Sequence, residues 1–186
     1  RYREMDGDIA QSCIQWGWRT PGTLHEDTPA LDVLAVALGQ GRASRLYRHV
    51  RDAGVVSAIS AHNYTPTSIG IMTIGAELDP RDTGAAFERM AAVLQDVLEH
   101  GFTEAEAERA RSIMEARMIR RLETAEGQAN LIAEWQALGD WRFGDRYLQQ
   151  VLEVTPARMH EVAQRYLQPD ALSALLYRPR SADAFA

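Results

Sequence analysis

Histidine is the side chain in this sequence best suited to bind a metal ion, and it occurs five times, at His25, His49, His62, His100 and His160. A helical zinc site of a metallopeptidase needs two histidines one helical turn apart, with a glutamate beside them as general base. No two of the five are separated by three residues, and the pair His160-Glu161 meets Gln164 where a second histidine would have to stand. The serine nucleophile motif G-x-S-x-G is also missing. We therefore expect no catalytic residue and no metal ligand in this chain.

Arginine is the second residue type with a chemical pattern, and it supplies all 20 basic residues of the chain. Four arginines recur at every third position and form a slowly drifting stripe along a helix: Arg42, Arg45, Arg48 and Arg51. One interpretation is a solvated face, paired in part with Asp52. The other is that one or two of the arginines face a cleft and bind peptide carbonyls or carboxylates, which a guanidinium fork grips well. The spacing alone leaves both interpretations open.

The elements that must position these side chains are predicted by the hydrophobic pattern. Strands are predicted over residues 8–18, 55–61, 69–78 and 171–177, the middle two paired antiparallel through a turn. Helices are predicted from Thr28-Pro29, with Thr28 as the N-cap and proline at the first helical position, over residues 42–52, and in a run of four or five between residues 79 and 167. One of these begins at the capping box formed by Thr103 and Glu106. The order predicts an α+β fold, with a mostly antiparallel sheet and helices packed on one face.

The composition fits one compact domain, since 46% of the residues are hydrophobic and 25% are charged. We place this domain at residues 1–178 and expect residues 179–186 to form a loose tail. The net charge of -6 argues against a general nucleic-acid binder, which needs a basic surface. No apolar run approaches the ~20 residues of a membrane-spanning helix. The single cysteine, Cys13, cannot form an intramolecular disulfide and gives no indication of the compartment.

The segment from residue 30 to residue 61 carries the most specific pattern in the chain. It reads Ala30-Leu31-Asp32-Val33-Leu34, Leu38-Gly39-Gln40-Gly41, Ser44-Arg45-Leu46-Tyr47, Val50-Arg51-Asp52, Gly54 and Ile59-Ser60-Ala61. This segment resembles the second, inactive domain of M16 zinc peptidases, the family of pitrilysin, insulinase and mitochondrial processing peptidase. The preceding strand, the helix start at Thr103 and the final strand also suit the family. The resemblance therefore covers nearly the whole chain.

The resemblance implies the LuxS/MPP-like metallohydrolase fold and a division of roles between two domains. In this family the first domain carries zinc on an inverted H-x-x-E-H motif. That domain is absent from this chain, so zinc is expected on a partner domain. The second domain supplies an arginine and a tyrosine that reach the substrate. Arg51 falls at the family arginine, whereas the tyrosine position falls at Ser57 or Ala58. The resemblance thus makes Arg51, and Ser57 with a weaker contact, the candidate substrate-binding residues.

The function that the resemblance implies is the non-catalytic half of a bacterial M16-type zinc metalloendopeptidase, which forms one wall of the substrate chamber. Its partners would be the zinc-bearing first domain, in the same chain or another, and a peptide substrate. Two alternatives stay open: a catalytically inactive M16-like scaffold or assembly subunit, which the missing tyrosine favours, and a free-standing peptide-binding module. The family is compatible with a periplasmic location and also with a cytoplasmic one.

Overall fold

A computed structural model describes residues 1–180, which form five strands and six α-helices. The strands are β1 (Tyr2–Gly7), β2 (Ser12–Pro21), β3 (Ala58–Tyr64), β4 (Ile69–Leu78) and β5 (Ser173–Pro179). The helices are α1 (Thr28–Gly39), α2 (Thr83–His100), α3 (Glu104–Leu122), α4 (Ala125–Ala137), α5 (Phe143–Leu152) and α6 (Pro156–Tyr166). The helix predicted over residues 42–52 is shorter in the structure, where a π-helical turn (Tyr47–Arg51) lies between α1 and β3. Of the predicted tail, residues 181–186 lie outside the described residues.

The strands form one sheet in the order β1-β5-β2-β4-β3. Within residues 1–180 every pairing is antiparallel except that of β1 with β5, which is parallel. One face of the sheet is buried, as β2 shows: Ile14, Trp16 and Trp18 lie in the core, whereas Gln15 and Arg19 are exposed on the opposite face. The predicted α+β class, with a mostly antiparallel sheet and helices on one face, is confirmed.

Helix α1 is the central helix of the core. All of its residues are buried except Asp32, and it packs against β3, α3, α5 and α6. Its last residue is glycine for a steric reason. A Cβ atom at Gly39 would overlap the backbone nitrogen of Ala61 in β3, so only glycine lets the end of α1 approach the sheet this closely.

The start of α1 differs from the sequence prediction in its N-cap residue, which is Asp27 rather than Thr28. Thr28 does not cap the helix, because its hydroxyl donates to the carbonyl of Gly22 at 2.8 Å. The preceding Asp27 is fully buried and accepts hydrogen bonds from Arg158, from Arg165 at 2.7 Å and from Tyr166 at 2.6 Å. Burial alone would raise the pKa of Asp27, but the hydrogen bonds from Tyr166 and Arg165 and the charge of Arg158 outweigh it, so the pKa is lowered. This ion cluster fixes α1 to α6.

The strand boundaries differ from the sequence pattern at three places, and one strand is additional. β2 covers residues 12–21 rather than 8–18, β3 covers residues 58–64 rather than 55–61, and β5 covers residues 173–179 rather than 171–177. The β-branched pair Val55 and Val56, which indicated a strand, precedes β3 and packs its side chains in the core. β1 was not predicted, because residues 2–6 are all exposed and show no inward apolar alternation. It is held by backbone pairing with β5.

Candidate functional site

Arg51 is the last residue of the π-helical turn, and its side chain is exposed. Its Nη1 donates to the Tyr47 hydroxyl at 2.9 Å, and its Nε donates to the backbone carbonyl of Ser57 at 3.2 Å. The guanidinium carbon lies 4.8 Å from the centre of the Tyr47 ring, a cation–π contact. Among residues 1–180, Nη2 has no hydrogen-bond partner. Arg51 is thus oriented by two contacts and keeps one nitrogen available for a ligand.

Ser57 lies beside Arg51, just before β3. Its backbone N–H and its hydroxyl both donate to the carbonyl of Glu77 in β4, at 2.8 and 3.0 Å. The structure therefore brings the two predicted site residues together, but through the backbone carbonyl of Ser57 rather than its hydroxyl. Tyr64 is at the far end of β3, six residues beyond Ala58. At a strand rise of about 3.3 Å per residue this is roughly 20 Å, so its hydroxyl is remote from Arg51.

The other arginines of the stripe do not share this arrangement. Arg45 donates from Nε and Nη2 to the two carboxylate oxygens of Glu106, both at 2.8 Å, and from Nη1 to Asp96 at 2.6 Å. The hydrogen bond from Arg45 is the main reason that the pKa of Glu106 is lowered to about 2. Arg45 therefore anchors the turn to α2 and α3, whereas Arg42 and Arg48 are exposed.

The histidines do not converge on any point. No group of three or more histidine, cysteine, aspartate or glutamate side chains in the described part of the chain could hold a metal ion. The ring of His160 contacts the carbonyl of Leu98 at 2.9 Å and the amide of Gln164 at 3.0 Å, so it packs α6 on α2, whereas Glu161 pairs with Arg158 and Arg165 of its own helix. The residues that the structure describes do not fit a zinc site.

Comparison with known protein families decides the assignment. Residues 1–114, more than half of the chain, match the family model described as the peptidase M16 inactive domain. The chain belongs to this family. The resemblance read from residues 30–61 is thereby confirmed.

Relatives of this M16 domain include bacterial proteins named as zinc proteases. An uncharacterized zinc protease of Mycobacterium leprae is 28% identical over 171 residues, which cover 91% of this chain. Zinc protease PqqE of Helicobacter pylori is 25% identical over 171 residues, which cover 89% of this chain. The matches span only 38% of either relative, so the chain corresponds to less than half of the proteins that it resembles.

Solved structures show the same fold. A crystal structure of a protease from Helicobacter pylori superposes with a TM-score of 0.87 at 24% identity, over 96% of this chain and 43% of that one. The inactive peptidase domain of a candidate zinc protease from Bordetella parapertussis gives a TM-score of 0.83 at 22% identity, over 96% of this chain and 98% of that one. No helix in residues 1–180 of the M16 domain has the length and hydropathy needed to cross a membrane.

A second polar site in the M16 domain was not found from the sequence. The Asp32 carboxylate accepts hydrogen bonds from the Tyr147 hydroxyl at 2.5 Å and from the Asn63 amide at 2.8 Å. It lines a cavity of about 360 Å³ between α1, β3, α3 and α5. Burial raises the pKa of Asp32 to about 6, against the opposing effect of those two hydrogen bonds. The available signal was a single carboxylate inside the otherwise apolar run of α1.

Proposed function

We propose that this domain is the non-catalytic half of a bacterial zinc metalloendopeptidase and forms one wall of the chamber in which a peptide is cleaved. The observation that carries this proposal is the match of residues 1–114 to the inactive-domain family. It is supported by relatives named zinc proteases, of which the chain spans 38%. The zinc and the general base then belong to a partner domain, in the same chain or a separate one. In this proposal the present chain binds no metal and carries out no step of the hydrolysis.

Arg51 is the residue that we assign to substrate binding. A guanidinium stays charged at every physiological pH and donates hydrogen bonds without accepting any, so its ligand must be an acceptor. A main-chain carbonyl of an extended peptide has that chemistry. The contacts of Nε with Ser57 and of Nη1 with Tyr47 reduce the rotamer freedom that binding would otherwise remove. Ser57 contributes to this site through its backbone carbonyl.

The test is Arg51→Ala in the assembled peptidase, with Arg48→Ala as the matched control, since Arg48 is an exposed arginine of the same turn. Losing a charged hydrogen bond to the substrate should lower kcat/KM about 10- to 100-fold. Zinc content per complex should not change, because the metal is bound elsewhere. Unchanged turnover in Arg51→Ala would overturn the assignment. A loss of zinc would point to a disturbed domain interface instead.

A second candidate function is a catalytically inactive scaffold or assembly subunit. The observation that favours it is that Ser57 and Ala58 stand where the family resemblance places a tyrosine, and that the Ser57 hydroxyl already donates a hydrogen bond to the backbone carbonyl of Glu77. The two functions differ in what accompanies the chain. An H-x-x-E-H motif in the preceding sequence or in a neighbouring gene supports the peptidase, and its absence from both supports the scaffold.

A further inference from the structure

Tyr47 is the aromatic residue in direct contact with Arg51, and the candidate site as predicted did not include it. We propose that Tyr47 and Arg51 together form a two-donor site for one main-chain carbonyl of the substrate, the Tyr47 hydroxyl being the second donor. This inference rests on the proposed function, because it assumes that Arg51 faces a bound peptide. It adds a substrate-binding residue that lies one helical turn before Arg51.

The hydrogen-bond direction leaves the Tyr47 proton free. A guanidinium has no acceptor, so in the 2.9 Å contact Nη1 is the donor and the Tyr47 oxygen is the acceptor. Among residues 1–180 no group accepts a hydrogen bond from the Tyr47 hydroxyl. A hydroxyl that accepts from a cation is polarised and becomes a stronger donor. The O–H of Tyr47 and the N–H groups of Nη2 are therefore two donors without protein acceptors at one place.

The geometry also fixes the two groups relative to each other. The Tyr47 ring lies under the Arg51 guanidinium, 4.8 Å from its carbon, while Nε is held by the Ser57 carbonyl. The ring is partly buried, and Arg51 extends from it into solvent. Donors preorganised in this way bind an acceptor with a small loss of conformational entropy.

Neither Ser57 nor Tyr64 offers the same chemistry. The Ser57 proton is directed to the carbonyl of Glu77, which leaves that oxygen only as an acceptor. Tyr64 is 67% exposed but lies at the opposite end of β3. The Tyr47 hydroxyl can therefore act together with Arg51 on a carbonyl. Tyr47 precedes Arg51 in the chain, whereas the family resemblance places the tyrosine after the arginine.

The experiment is Tyr47→Phe in the assembled peptidase, with fluorescein-labelled casein as substrate. Phenylalanine keeps the ring under the guanidinium and removes only the hydroxyl. The KM for casein should rise about tenfold with kcat changed less than about twofold, because the hydrogen bond is made in the ground state and kept in the transition state. In an Arg51→Ala background, Tyr47→Phe should raise the KM less than about threefold, because the hydroxyl is then neither polarised nor oriented. Tyr64→Phe is the control for an exposed tyrosine hydroxyl and should leave both constants unchanged.

The outcomes separate this inference from the function on which it rests. If Arg51→Ala impairs the enzyme and Tyr47→Phe does not, the two-donor site is wrong and the role of Arg51 stands. If Tyr47→Phe lowers kcat and the melting temperature while KM is unchanged, its role is structural and the inference is overturned. A wild-type complex that does not cleave casein, although it is folded and loaded with zinc, overturns the peptidase function and the two-donor site together.

Discussion

Replacing Asp32 by asparagine is expected to stabilise the domain at neutral pH and to remove a pH dependence of its unfolding. The Asp32 side chain is partly buried where α1 borders the cavity, and its hydrogen-bond donors, Tyr147 and Asn63, are both neutral. Within the described residues it has no ion pair. The other ionisable groups that line its cavity are His62, Arg117, Arg121 and Tyr147. Arg117 donates to Gln40 and Arg121 to Glu134, so neither arginine pairs with the carboxylate.

The magnitude follows from the pKa. Burial is the main cause that raises the pKa of Asp32 from 3.8 to about 6. The folded protein therefore binds this proton more tightly than the unfolded chain. The resulting stabilisation is fully present below pH 3.8 and is lost as the pH rises through 6. At about 1.4 kcal/mol per pKa unit the whole effect is about 3 kcal/mol, of which about 1.3 kcal/mol falls between pH 7 and pH 5.

Asparagine is neutral throughout this range and fits the same partners. Its oxygen can accept from Asn63, and its amide can donate to the Tyr147 oxygen. Asp32→Asn should therefore raise the free energy of unfolding at pH 7 by about 1–3 kcal/mol. The advantage over wild type should shrink by about 1.3 kcal/mol at pH 5, because wild-type Asp32 is then mostly protonated.

The assay is urea unfolding of the chain and its variants at pH 5, 6 and 7, followed by circular dichroism. Taking the difference between variant and wild type at each pH cancels titrations that both proteins share. Glu108→Gln, which removes an exposed carboxylate on α3, is the control for a change in net charge. A difference that stays constant from pH 5 to pH 7, or an Asp32→Asn variant less stable than wild type at pH 7, would refute the reasoning.

Two further predictions concern packing, and the same unfolding assay measures both. Glu106→Gln should lower the free energy of unfolding at pH 7 by about 2–3 kcal/mol, since it weakens the bidentate pair with Arg45. Because the pKa of Glu106 is lowered from 4.5 to about 2, wild type should lose this advantage as the pH falls from 4.5 to 2. An equal difference at pH 7 and pH 2.5 would contradict it. Gly39→Ala should lower the free energy of unfolding by about 1–3 kcal/mol, because the new methyl group overlaps Ala61. Gly84→Ala should not lower it, because the space around Gly84 is open. Equal effects of the two substitutions would contradict the steric argument.

Features encoded by neighbouring residues could be predicted from the sequence. The capping box at the start of α3 is present as predicted: Thr103 accepts from the backbone of Glu106, and the Glu106 carboxylate accepts from the backbone of Thr103. The second strand of the central hairpin, residues 69–78, also has its predicted bounds. In each case the signal is a turn or an alternation of a few residues, which needs no information from the rest of the chain.

Features that depend on distant residues could not be predicted. β1 has exposed side chains and is a strand because β5, more than 170 residues later, pairs with its backbone. The partners of Asp32 are equally remote, since Tyr147 follows it by 115 residues and Asn63 by 31. The apolar residues around position 32 do not reveal which groups will donate hydrogen bonds to that carboxylate. Its raised pKa is a property of the assembled core.

The arginine stripe shows why the candidate site needed both kinds of information. Arg45 and Arg51 belong to one three-residue repeat, but their side chains meet different neighbours. On one side of the turn Arg45 meets Asp96 and Glu106 and is neutralised. On the other side Arg51 meets a phenol and a carbonyl, neither of which cancels its charge. The repeat identifies the cations, and only the packed neighbours determine which of them lies beside carboxylates and which keeps a nitrogen without a protein acceptor among residues 1–180.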